Sequence, residues 1–158
     1  MLLPVFKSLP VADRTWREPD LPPASRAYTR DTVTLGWEER LKIRGRRRSD
    51  GGVEFGTSLP RGTQLRGGDC LVIDALRVVI TVHERPEHVC VLRPAAPQEW
   101  ALLAYHIGNR HLPLMVADDG LVCPEVPGVE LLLQQYGIAF VRETRPFTPA
   151  TAPIDHQH

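Results

Sequence analysis

The spacing of apolar and polar positions changes character twice along the chain, and the changes divide it. From Met1 to about Tyr28 the chain is rich in proline and has no sustained period; Leu2, Leu3, Val5 and Phe6 allow one edge strand, and DLPPAS reads as a connector. From Asp31 to about Glu84 short β-runs alternate with turn signals. Thr32 to Leu35 is β-branched, and over Arg40 to Arg46 the apolar Leu41 and Ile43 alternate with charged residues, the pattern of a strand with one wet face. SDGG makes a hairpin turn from which GVEFGTSL returns, and CLVID and VVITV read as two buried strands. Residues 1–84 are therefore predicted to form a small all-β domain.

After Pro86 the period switches between two and 3.6. His88 to Leu92 reads as a strand. In PQEWALLAYHIGNRH, Trp100, Leu103, Ala104 and Ile107 fall at i, i+3, i+4 and i+7, which lines one face of a helix that Pro97 opens. Gly108 and Asn109 tolerate a left-handed cap and are predicted to stop it, leaving Arg110 and His111 just past its end. Leu114 to Val116 and Leu121 to Cys123 are strands joined by a tight turn at Asp118, Asp119 and Gly120. A second helix, with Pro127 near its start and Val129, Leu132, Leu133 and Tyr136 on one face, is capped by Gly137, and Ile138 to Arg142 is a last strand. The order β-α-β-β-α-β is ferredoxin-like. The predicted fold is thus α+β in two domains, 1–84 and 85–145, followed by a proline-rich segment, 146–158, expected to be extended and mobile.

Charge and composition narrow the function classes. Acidic and basic residues balance to a formal net charge of zero, so no global field favours nucleic acid or an anionic membrane, and RGRRR reads as the solvated face of an edge strand. No apolar run approaches the ~20 residues that span a bilayer, and MLLPVFKSLP lacks the parts of a leader; a cytoplasmic location is expected. Cys70, Cys90 and Cys123 are too few and too scattered for a disulfide framework. There is no nucleophile motif, no HExxH and no phosphate-binding glycine loop, so an enzyme is not expected.

What chemistry remains lies in histidines. A helix C-terminus carries partial negative charge and favours a cation nearby, which makes His111 a candidate metal ligand, although the same position suits a histidine that merely caps carbonyls. His106, on the same helix, is either an accessory ligand or a half-buried ring. His156 and His158 stand at i and i+2, so in an extended chain both imidazoles reach one ion; a cloning remnant is the other source of such a tail. Cys123 with Glu125 offers a weaker soft-ligand pair, and His83 and His88 read as structural or solvated.

Two stretches are specific. LPRGTQLRGGDCL, Leu59 to Leu71, resembles the LPRG-x-x-L-x-x-GD-x-L signature of the urease accessory nickel chaperones, the UreE family, and AYHIGNRHLPL, Ala104 to Leu114, resembles their HLGNRH-x-P motif; WEERLKIR precedes both in the same order. The resemblance runs from about Asp31 to Arg145. It implies a β-domain like the peptide-binding domain of a chaperone, then a ferredoxin-like metal domain, in a homodimer where His111 faces its twin across a two-fold axis. It also implies Ni²⁺ as cargo, whose coordination His156 and His158 can complete, and delivery to apo-urease through an accessory GTPase. Imidazole also suits Zn²⁺ and Cu²⁺, so the ligands alone do not select nickel. The family's second histidine cluster has no counterpart here, where the stretch reads CPEVPG, so few ions per dimer are expected. The alternative function is a protein-interaction module of the urease maturation complex with vestigial metal binding.

Overall fold

The structure, a computed structural model, describes residues 8–150. The chain divides between Glu84 and Arg85 into two compact units, and the fold is α+β.

The first unit contains β1 (Val11–Ala12), β2 (Thr29–Leu35), α1 (Trp37–Leu41), β3 (Arg44–Arg48), β4 (Glu54–Ser58), β5 (Cys70–Ile73) and β6 (Val78–Glu84). Among the described residues these make two three-stranded sheets, in the orders β1-β4-β3 and β2-β6-β5. β2 runs parallel to β6 from Thr29 opposite Val78, while β3 and β4 are the hairpin expected around SDGG. Val33, Leu35, Phe55, Leu59, Leu65, Leu71, Ile80 and Val82 form the core. The other face of β2-β6-β5 is covered by the proline-rich segment: Leu21 and Trp16 pack on Cys70 and Val79, and Trp16 and Cys70 exchange two backbone hydrogen bonds. What the sequence suggests as a connector is thus part of the packing. The edge strand proposed at Leu2 to Phe6 lies outside the described residues.

One element differs in kind. Leu41, read from its alternation as a strand residue, closes the short helix α1, and β3 begins only at Arg44. The cause is Arg40, which is 1 % exposed and donates to Leu65 O at 3.2 Å and Glu84 Oε1 at 3.3 Å, while Leu65 N–H donates back to Arg40 O. Partners 25 and 44 residues away hold this turn, which outweighs a local period-two pattern. The RGGD segment is built around the same carboxylate. Glu84 accepts from Gly67 N–H, and Arg17 bonds both Gly67 O and the nearly buried Asp69. Gly68 has φ +88°, a conformation that glycine takes freely and that strains a residue with a Cβ.

The second unit contains β7 (Glu87–Leu92), α2 (Pro97–Asn109), β8 (Met115–Ala117), β9 (Gly120–Pro124), α3 (Val129–Gln135) and β10 (Val141–Arg145). Its sheet order is β10-β7-β9-β8 with every pair antiparallel, so the strands numbered within the unit stand 4-1-3-2, the ferredoxin-like arrangement. Trp100, Leu103, Ala104 and Ile107 of α2 and Val129 and Leu133 of α3 pack on Cys90, Leu92, Leu121 and Cys123. At Gly120 a Cβ would lie 2.2 Å from Leu92 O, so the β8–β9 turn admits no side chain there.

Three details depart from expectation. β10 starts at Val141, three residues later than the pattern suggested, because Ile138 and Phe140 pack into the helix core before the ladder opposite Val91 begins. Tyr136 lies past the end of α3 and is 49 % exposed. The start of the segment expected to be mobile is fixed: Phe147 and Pro149 are buried, and Ala150 N–H donates to Leu114 O at 2.7 Å.

Candidate metal centre

The C-terminal end of α2 is closed by a specific hydrogen-bond pattern. Arg110 is the last residue near helical geometry, His111 N–H donates to Gly108 O at 2.9 Å, and Leu112 N–H reaches Ile107 O at 3.4 Å. Leu112 then packs in the same core as Ile107. This is a Schellman end, and its left-handed residue is His111, at φ +54°, where glycine is the usual occupant. Gly108 and Asn109, expected to provide the cap, are still within the helix. The 6→1 bond and the burial of Leu112 fix the register, so the residue before Leu112 must turn left-handed whatever its type. α3 ends in the same way: Gly137 N–H donates to Gln134 O and Ile138 N–H to Leu133 O, with Gly137 at φ +62°.

His111 is exposed, and the helix end holds its backbone rigidly. A free imidazole nitrogen at the negative end of a helix is a competent donor to a divalent cation. His106 is half-buried: its ring stacks on Tyr136 at 5.4 Å between centroids with 23° between planes, and Tyr105 meets it edge-on at 5.7 Å. Arg110 places its guanidinium 5.9 Å from the Tyr136 ring and donates to Tyr136 Oη at 3.3 Å. His106 of α2 and Arg110, the residue that caps it, therefore meet Tyr136 beyond α3, Arg110 being the residue before His111.

The remaining candidates do not gather here. Cys123 is fully buried opposite Cys90 in the β7–β9 ladder, and burial pushes its thiol up to about 12, with Cys90 adding to the effect. Its thiol packs among apolar neighbours in the sheet core and is not presented to solvent, which speaks against the suggested Cys123–Glu125 pair. Glu125 is exposed and faces Arg142 at 3.6 Å. His83 and His88 are exposed, His88 Nδ1 lying 3.3 Å from Thr144 Oγ1. His156 and His158 lie outside the described residues. Among the described residues no group of three or more His, Cys, Asp or Glu side chains could hold a metal ion. No helix of the described residues is long and apolar enough to cross a membrane.

One feature of the site went unread in the sequence. Leu102 and Tyr105 are 58 % and 63 % exposed on the outer face of the helix that ends at His111. Their i, i+3 spacing, on the side opposite Trp100 and Ile107, was the available signal.

Two family models match the chain: the UreE urease accessory protein N-terminal domain over residues 17–83 and the C-terminal domain over residues 87–158. The chain belongs to the UreE urease accessory protein family. It is similar to the urease accessory protein UreE of Thermosynechococcus vestitus, with 36 % identity over 117 residues that cover 74 % of this chain and 81 % of that one. It is 39 % identical to the UreE of Pseudomonas putida over 118 residues, 75 % of this chain and 73 % of that one. The UreE of an Enterobacter species is 37 % identical over the same length, covering 78 % of its chain. UreE proteins are thus accessory to an enzyme, and both distinctive stretches of this chain, Leu59 to Leu71 and Ala104 to Leu114, lie within the matched domains.

Proposed function

We propose that this protein is a metallochaperone of urease maturation that binds Ni²⁺ between the His111 imidazoles of a homodimer and releases it for assembly of the urease active site, through an accessory GTPase. The observation that carries the reading is the placement of His111: exposed, rigid, and held left-handed at the end of α2 next to a helix face that leaves Leu102 and Tyr105 in solvent. An apolar strip on a helix is suited to a partner surface, and a two-fold axis beside it brings each residue near its own copy. One imidazole per chain then becomes two nitrogens at one ion.

The cargo must also leave. A site with few protein ligands, open to water, favours transfer over retention, and His156 and His158 supply further imidazole donors. His106, tied to Tyr136, acts in a secondary capacity. Imidazole donors accept Cu²⁺ and Zn²⁺ as well, so nickel is chosen by geometry, availability and the receiving partner. Because metal competes with protons for imidazole, affinity falls as pH drops through the histidine range.

Titration calorimetry of Ni²⁺ into the full chain and into His111→Ala, at protein concentrations above and below dimer dissociation, tests the reading. The expected result is one tight ion per dimer, lost in His111→Ala while the dimer persists. Unchanged Ni²⁺ binding in that variant, or full maturation of urease by it, would instead favour the interaction-module reading.

A further inference from the structure

Among the described residues β3 presents an open strand edge with a distinctive chemistry. It is the terminal strand of its sheet, paired with β4 through Arg44 opposite Ser58 to Arg48 opposite Glu54 in unbroken register. Leu59 N–H donates to Ile43 O and Ser49 N–H donates to Val53 O, so the odd-numbered residues direct their backbone groups towards β4. In an antiparallel pair the alternate residues direct theirs away. The N–H and C=O groups of Arg44, Arg46 and Arg48 therefore face outward. Their side chains share one sheet face, opposite to that of Ile43 and Phe55, which pack in the core. All three arginines are exposed, and among the described residues none makes an ion pair.

Open edges are usually blunted by charged side chains, proline, a bulge or a covering segment. Of these β3 has charge alone: it carries no proline, its register shows no bulge, and among the described residues no strand pairs with its outer edge. Three guanidinium groups at two-residue spacing repel a second β3 edge, and they match carboxylates carried at the same spacing on an added strand. A groove of about 350 Å³ lined by Leu9, Arg46, Arg47, Arg48 and Glu54 lies beside them.

We infer that the β3 edge is a docking site for an extended acidic segment of a partner protein, which adds to the sheet as a strand by pairing with the outward backbone groups of Arg44, Arg46 and Arg48 and sets alternate carboxylates against their guanidinium groups. Nucleic acid fits the same charge less well, because phosphates use none of the outward carbonyls and the chain as a whole carries no net charge. The site needs no metal, so it stands apart from the nickel reading.

The test uses the full chain, labelled with nitrogen-15, and a ten-residue peptide alternating glutamate with valine and threonine. Saturation with the peptide is expected to slow amide hydrogen exchange at Arg44, Arg46 and Arg48 at least fivefold, leaving Gly45 and Arg47 unchanged. R44E/R46E/R48E changes solvent-exposed side chains only; it is expected to lose at least tenfold in affinity for this peptide and to bind the matching lysine peptide instead. Unchanged exchange at the three amides overturns the proposal. So does tighter binding of a ten-nucleotide oligothymidylate, or protection of these amides in the free protein equal to that of Gly45 and Arg47, which would mean that the edge is already covered.

Discussion

His111 and Gly137 occupy equivalent positions at two helix ends of one unit, with φ of +54° and +62° and the same pair of closing hydrogen bonds. Glycine takes this conformation freely; a residue with a Cβ loses about 1–2 kcal/mol there. Histidine is among the side chains that tolerate it better, yet glycine remains the cheaper occupant. The same fold thus uses the low-energy residue at one helix end and a strained one at the other. Strain kept at an exposed position points to a use for the side chain.

His111→Gly is therefore expected to hold or raise thermal stability while abolishing tight Ni²⁺ binding. His111→Val, β-branched in a left-handed position, is expected to lose about 1–2 kcal/mol in denaturant unfolding as well as the metal. Separation of the two effects is the point of the pair. If both variants keep wild-type Ni²⁺ affinity, His111 is only a cap.

Cys123 gives the opposite prediction. With its thiol at about 12, only roughly one molecule in ten thousand carries the reactive thiolate at pH 8. Iodoacetamide should leave Cys123 unmodified in the folded protein and label it after denaturation, as read by peptide mass. Cys123→Ser should leave Ni²⁺ binding intact and cost about 1–3 kcal/mol, because a hydroxyl replaces a thiol among buried apolar neighbours. Loss of metal in that variant, with the fold preserved, would return Cys123 to the site.

The second unit was legible because its pattern switches between strand and helix spacing four times, with a turn or cap residue at most switches. The features missed share one cause, contacts distant in sequence. Nothing local tells that Arg40 will be buried against Leu65 and Glu84 and so bend Leu41 into a helix, or that Phe147, just past the end of β10, will be fully buried. The site shows the same division. That His111 stands exposed past a helix end followed from the apolar stripe of α2. That it takes the left-handed conformation itself did not, because Gly108 and Asn109 are better suited by type, and only the burial of Leu112 against Ile107 decides where the chain turns.

His106 is expected to matter less than His111. Its ring is held by Tyr136 and Tyr105, a pair of aromatic contacts that together contribute about 1–2 kcal/mol. Tyr136→Leu removes the stack and leaves the imidazole in place, so calorimetry on that variant separates packing from ligation. Ni²⁺ affinity in Tyr136→Leu should stay within about threefold of wild type, and in His106→Ala it should fall less than in His111→Ala. A larger fall in His106→Ala would make His106 a principal ligand.

An ion cluster at the β8–β9 turn ties Asp119 and Glu143 to Arg93 and Arg145. Asp119 accepts two hydrogen bonds from Arg145, at 3.0 and 2.9 Å, and one from Arg93 at 3.3 Å, and the hydrogen bonds from Arg145 above all hold its carboxyl well below the usual carboxylate range. Glu143, bonded to both Arg93 and Arg145, is lowered in the same way. A carboxyl whose folded value is depressed contributes stability that is complete above its unfolded value, about 3.9 for aspartate, and that is lost as pH falls towards the folded value. Wild type should therefore lose stability more steeply than Asp119→Asn below about pH 4, and the gap between the two should still be narrowing at pH 2. The side chains are exposed, so the gap at neutral pH is small and shrinks further with added salt. Urea midpoints measured from pH 6 to pH 2 decide it: curves that stay parallel throughout would show that the cluster plays no part in acid unfolding.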